Sequence, residues 1–238
     1  MQKQGIFVAD VTWPEVMARL DAKATALLPV GAECKEHGAH LPMNSDYLQA
    51  RWLSAAVVRR ANVAVWPVLG YGYYPAFVDY PGSCSLSHAT FRAAVTEILA
   101  SLHRGGARRI RILNTGLSTI EPLQQAISQA FAPENTLLIN VYAGRHYRAA
   151  AAEIQRQQRG GHADELETSI MLSIDPGTVD MSKAVACTER VISGPFNRTD
   201  PQAPNYSPSG VYGDPTLASA AKGRRLLHAM LKDIIEAL

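Results

Sequence analysis

The chain has 238 residues, 47% of them hydrophobic and 18% charged, with 23 Lys and Arg against 21 Asp and Glu. That length suits one large α/β domain with a full core, and the scattered, nearly balanced charge leaves no electrostatic footprint for nucleic acid. No apolar run approaches the roughly 20 residues that span a bilayer, and Met1-Gln2-Lys3-Gln4-Gly5 lacks the apolar core of a signal peptide, so a cytoplasmic protein with no membrane partner is expected.

Thr12 as a cap, with Pro14 in the first turn, predicts a helix over Val11 to Ala24. A strand is expected over Thr25 to Val30. Beyond the polar stretch that follows it, Ser45 to Arg60 spaces Leu48, Trp52, Leu53, Ala56 and Val57 at helical intervals, and Val63 to Val68 reads as a short apolar strand. Gly70 to Cys84 is rich in Gly, Pro and aromatics and too long for a simple connector. It reads as a substrate-facing wall, with Tyr73 and Tyr80 as contacts, or equally as an aromatic-packed surface loop.

Ser87 to His103 predicts a helix with Phe91, Val95, Ile98, Leu99 and Leu102 on one face, and Arg108 to Leu113 a strand. Asn114 to Thr119 is then a second loop at a strand's end, where Ser118 is a candidate substrate contact. Ile120 to Phe131 is expected to be helical, Leu137 to Tyr142 a strand, and His146 to Ser173 one or two helices around Gly160-Gly161. Ile192 to Tyr212 reads as irregular, and a final helix runs from Pro215 to Leu238. Strands alternating with helices imply parallel strands joined by right-handed crossovers. No repeat and no linker divides the chain, so residues 1–238 form a single domain.

The stretch Gly31 to Asp46 concentrates Glu33, Lys35, Glu36, His37, His40 and Asp46 between a strand and a helix. The carboxyl ends of strands are where open α/β sheets place their sites. Its imidazoles and carboxylates are donors suited to zinc, manganese or iron, although each residue alone also reads as part of a charged turn, a helix cap or a structural histidine. Cys34 reads as a small buried residue, and three cysteines are too few for a disulfide framework. Downstream, His162 to Ser169 carries a histidine and three carboxylates; on a helix His162 and Glu165 would share a face, with Glu167 about 140 degrees from His162.

Four stretches together resemble the creatininase (creatinine amidohydrolase) family: Trp13-Pro14-Glu15, Leu28 to Gly31 continuing through His37-Gly38-Ala39-His40-Leu41-Pro42 to Asp46, His162 to Leu172, and Gly210 to Ala218. The resemblance implies a three-layer α/β/α sandwich with a mostly parallel central sheet. It also implies homo-oligomers, often hexamers, and metal-dependent hydrolysis of a non-peptide amide, cyclic amide or formamide of a small molecule. Family members typically hold two divalent ions through a Glu-x-His pair, an Asp nine residues after that His, a His in an Asn-Gly-His loop and a further carboxylate. Here His37 and Asp46 fall on the first His and the Asp, while His162 and Glu167 fall on a downstream His and Glu.

The chain departs from that pattern twice. Lys35 stands where the family has the Glu, and Asn114-Thr115-Gly116 where it has Asn-Gly-His. Because both missing ligands serve one ion in the family, the expectation is that the Lys35 ammonium lies beside Asp46 in the vacated position. One divalent ion (Zn, Mn or Fe) would remain on His37, Asp46 and Glu167. An alignment shifted by one residue would instead bring Glu36 or Glu33 to the ion and turn Lys35 outward. Taken together, the expected metal ligands are Glu36, His37, Asp46 and Glu167, the expected catalytic residues His162, Glu165 and Lys35, and the expected substrate contacts His40, Tyr73, Tyr80 and Ser118. Glu165 or Glu167 would take a proton from water, His162 would donate one to the leaving nitrogen, and Lys35 would stabilise the oxyanion. The alternatives are a silent metabolite-binding member and a metal-free lyase or isomerase using Lys35 with His162.

Overall fold

The computed structural model describes residues 4–188 and 194–238. Among these, five strands, β1 (Ile6–Phe7), β2 (Thr25–Val30), β3 (Val63–Val65), β4 (Ile110–Asn114) and β5 (Thr136–Asn140), make one parallel sheet in the order β1-β3-β2-β4-β5. β2 is central and buried along its whole length, the pattern of a strand covered on both faces. Pro29 is tolerated there because β3 pairs only with Thr25 to Leu27, so the missing N–H falls past the end of that ladder.

Alternate strand residues feed two cores. Leu27, Val63, Val65, Leu113 and Ile139 pack against α2 (Ser45–Val58), α5 (Arg145–Ile154), α6 (Glu165–Ile174) and α7 (Ala220–Ala237). Ala26, Leu28, Val30, Ala64, Ile110 and Ile112 pack against α1 (Trp13–Asp21), α3 (His88–Arg104) and α4 (Ile120–Ser128). The result is a three-layer α/β/α sandwich. β2 leads through α2 to β3 on one side, and β3 leads through α3 to β4 on the other, so the winding reverses between β2 and β4. A crevice opens at the carboxyl ends of strands at such a switch point. No helix among the described residues is long and apolar enough to cross a membrane.

Several boundaries differ from the sequence expectation for identifiable reasons. β1 was not anticipated, because two residues carry no readable period. α1 is closed at its start by the expected Thr12 cap, with Thr12 N donating to Glu15 Oε2 at 2.8 Å, and ends at Asp21, with Lys23 in the left-handed region at φ 59. The stretch after His146 divides into α5 and α6. Pro215–Leu217 forms a separate 3-10 turn, and α7 begins only after Ser219, which caps it by accepting from Lys222 N. The irregular segment expected from Ile192 shows no helix or strand from Gly194 to Tyr212; Ile192 and Ser193 lie outside the described residues.

Candidate functional site

Val30 and Asn114, the last residues of β2 and β4, are paired across the mouth of the crevice. Gly31 follows. A Cβ there would lie within 2.7 Å of Asp46 O and Thr115 Oγ1, so glycine is what lets the first turn of α2 approach the strand end. Thr115 Oγ1, 3.1 Å from Val30 O and 3.0 Å from Asp46 O, donates between the two carbonyls and fixes Asp46 over the sheet.

Asp46 then meets two side chains from the preceding loop. Lys35 Nζ lies 2.7 Å from Asp46 Oδ2, and His37 Nε2 lies 3.1 Å from Oδ1. Lys35, His37 and Asp46 are 7%, 1% and 2% exposed. Burial alone would discharge the lysine, but Asp46, Glu167 and Glu36 outweigh it and hold the ammonium charged. Burial pushes Asp46 upward as well, yet Lys35 and His37 keep its carboxyl well below the usual range. The other nitrogen of His37, Nδ1, is 2.9 Å from the carbonyl of Lys35. A carbonyl can only accept, so Nδ1 carries the hydrogen, and in the neutral ring Nε2 presents a lone pair to the Asp46 carboxylate. Two acceptors 3.1 Å apart require a proton or a cation between them.

A second group adjoins the first. Tyr212 N donates to His162 O at 2.9 Å, which holds His162 in an extended stretch antiparallel to Tyr212. Ala163, at φ 48, then turns the chain into α6. His162 Nε2 is 2.9 Å from Glu36 Oε2, and its Nδ1 is 3.8 Å from Glu167 Oε2. Burial would lower the His162 pKa; Glu36 and Glu167 overcome it and raise it. Glu36 also accepts from Gly38 N, and its charged partners hold it low despite burial. Gly210, at φ 78, lies so close that a Cβ would overlap the Glu36 carboxylate. The Phe77 ring covers both groups, 4.1 Å from the His162 ring and 5.1 Å from Lys35 Nζ, and stacks on Phe196 at 5.5 Å.

The structure therefore gathers Lys35, Glu36, His37, Asp46, His162 and Glu167 from the two distant motifs. Lys35 is turned inward, against the expectation of the shifted alignment, and Glu36 reaches His162 and not the His37–Asp46 pair. His40 sits beside them but is spent on packing: its Nε2 is 2.9 Å from Thr168 Oγ1 on α6, its Nδ1 has no partner, and burial lowers its pKa to about 4. Tyr73 and Ser118 line the cleft over Lys35 and Asp46, together with Tyr74, Asn114 and Thr119.

Three expectations need correction. Glu165 does not join the group: its carboxylate accepts from Arg156 N at 2.8 Å and Gln157 N at 2.7 Å and pairs with Lys222. It is 0% exposed. His162 and Glu165 share no helical face, because α6 begins at Glu165 with Asp164 as its cap. Tyr80 is buried and donates its hydroxyl to Ser207 O at 2.5 Å, so Phe77, and not Tyr80, supplies the aromatic wall. Phe77 lay within the loop singled out from sequence; nothing in the sequence pointed to Phe196.

The donor set can be tested against a divalent ion. Imidazole nitrogen and carboxylate oxygen suit zinc or manganese, and a metal-bound histidine commonly donates its other N–H to a backbone carbonyl, as His37 does to Lys35 O. Bonds of about 2.0 to 2.2 Å put two ligands of one ion roughly 3 Å apart, close to the spacing of His37 Nε2 and Asp46 Oδ1. These residues fit one ion. They do not frame two, because Lys35 covers the other Asp46 oxygen, and among the described residues no third donor converges: Glu36 and Glu167, expected as ligands, turn instead to His162 and the Ala163 N–H. Among the described residues the only trio of His, Cys, Asp or Glu with ligand atoms within 4.8 Å is His146, Asp233 and Glu236. There Asp233 caps α5 by accepting from His146 N and Tyr147 N, and Glu236 pairs with Arg145 at 3.1 Å, so that trio reads as a helix cap and ion pair.

The family model described as creatinine amidohydrolase matches residues 9–238. A creatinine amidohydrolase of Pseudomonas putida is 29% identical, over 99% of this chain and 96% of its own. A mycofactocin precursor peptide peptidase of Mycobacterium ulcerans is 27% identical, over 94% and 84%. Two solved structures are similar along their length. One, described as creatininase Mn, superposes with a TM-score of 0.83 at 26% identity, covering 98% of this chain and 97% of that one. The other, a substituted creatininase described as Zn-Zn type, gives 0.84 at 26% identity, covering 100% and 97%.

Proposed function

The chain belongs to the creatininase family, whose relatives above are hydrolases, and on that premise we propose that it hydrolyses a C–N bond of a small amide with one divalent ion. The observation that carries the reading is the Lys35–Asp46 contact of 2.7 Å in the cleft over β2 and β4. It sets a cationic donor beside an anionic acceptor. With both Asp46 oxygens taken, Oδ2 by Lys35 and Oδ1 by His37, the ammonium is the group of the pair that can meet a substrate, at the carbonyl oxygen that a cyclic amide or formamide presents.

An ion on His37 and Asp46 would supply an activated water and polarise the carbonyl. The chain's own groups do the rest. Lys35 donates to the carbonyl oxygen and stabilises the negative charge that develops on it, in a site that excludes bulk water. Glu167, the least buried carboxylate of the group, takes the proton of the attacking water. His162, kept protonated by Glu36, gives a proton to the departing nitrogen as the C–N bond breaks. Phe77 covers His162 and limits solvent access. A homo-oligomer belongs to the same proposal, supported by the apolar groove formed by Val11, Trp13, Val16, Met17 and Trp66 on the α1 side.

The test is hydrolysis of a panel of cyclic amides and formamides by the manganese- or zinc-supplemented protein in ¹⁸O water. Label entering the product carboxylate, and its loss in Glu167→Gln, supports the reading. No turnover on any member of the panel would sink it.

A further inference from the structure

In the solved relatives described as Mn and Zn-Zn types the metals are part of the structure's description, yet this chain puts an ammonium group at the centre. We infer that Lys35 permanently occupies one of two cation positions on Asp46, leaving the protein with a single ion site between His37 Nε2 and Asp46 Oδ1. The inference deepens the hydrolase reading and rests on it.

The two oxygens of Asp46 are used differently. Oδ2 is closed by Lys35 Nζ at 2.7 Å. Oδ1 faces a histidine nitrogen whose ring hydrogen is committed to Lys35 O on its far side. One oxygen is therefore closed by an ammonium that the protein itself supplies, and the other is open to whatever lies between it and the His37 ring. The side chain is held at both ends: its ammonium by Asp46 and the Phe77 ring 5.1 Å away, and its backbone by the N–H donated to Met43 O at 3.1 Å. A side chain so enclosed has lost the rotamer freedom that would let it withdraw for an incoming ion.

The neighbourhood of the second loop agrees. Asn114 bonds back to its own loop, its Nδ2 donating to Gly116 O and its Oδ1 accepting from Gly116 N and Thr119 Oγ1. It therefore sends no donor toward Asp46. Gly116 has no side chain and so sends no ligand toward the carboxylate.

Counting bound manganese by elemental analysis after equilibrium dialysis tests this. Wild type is expected to hold one ion per chain, His37→Ala none, and the double substitution K35E/G116H, which offers a carboxylate and an imidazole in place of the ammonium, two. Wild type holding two or none, or K35E/G116H holding the same number as wild type, would overturn the inference. If the double variant does not fold, the wild-type and His37→Ala counts decide alone. These counts are independent of turnover, so a protein with the expected counts that hydrolyses nothing would sink the hydrolase reading and leave the ion assignment standing.

Discussion

The Lys35 ammonium and the Asp46 carboxylate lie 2.7 Å apart with almost no contact with water. Taking two charges out of solvent is costly, and the pair offsets that cost only while both partners are present. Lys35→Met leaves Asp46 buried without its cation, and a loss of about 3 to 5 kcal/mol is expected. Adding Asp46→Asn to Lys35→Met should recover a large part of it. Urea unfolding of the two singles and the double measures both; a single variant within about 0.5 kcal/mol of wild type would show that the pair is not closed in solution.

The two glutamates of α6 separate structure from chemistry. Glu165 binds two backbone amides and Lys222 and touches none of the clustered groups. Glu165→Gln is therefore expected to cost about 3 kcal/mol of stability and to leave kcat of the folded fraction unchanged. Glu167→Gln should do the reverse, with stability within about 1 kcal/mol of wild type and kcat lowered at least about 100-fold. Thermal unfolding and turnover on the same samples distinguish them, and a swap of the two phenotypes would reverse the assignment.

His40 supplies a pH signature. Its folded pKa of about 4, set first by burial with Glu36, Glu167, His37 and His162 around it, lies below the value near 6.5 of an unfolded chain. Between these values the unfolded state binds the extra proton, so this contribution to stability is full above pH 6.5 and is lost as pH falls toward 4, by up to about 3 kcal/mol. Asp164, which burial and Glu167 raise to about 6, acts in the opposite sense below that pH. His40→Gln keeps a partner for Thr168 and removes only the His40 contribution. Wild type should lose more stability than this variant between pH 6.5 and 4; equal slopes would rule the effect out.

The layers of the fold were legible in the sequence because strand and helix periods alternate plainly: Thr25 to Val30 and the helical spacing of Leu48, Leu53 and Val57 each survive into the structure. Lys35, Glu36, His37, Asp46, His162 and Glu167 could be named because the two motifs carry them. Their pairing could not, since which carboxylate His162 takes depends on the Ala163 turn and the Tyr212 bridge, contacts that no period encodes. Glu165 was misjudged for that reason: its position one helical turn from His162 assumed a helix that starts three residues later. Phe196 reaches the site from an irregular segment, where sequence gives no register at all.

A crystal structure determined after soaking in manganese, with anomalous scattering recorded, tests the central claim most directly. One anomalous peak between His37 Nε2 and Asp46 Oδ1, with Lys35 Nζ still on Asp46 Oδ2, is predicted. Two peaks with Lys35 displaced from Asp46, or no peak at the crevice, would contradict it.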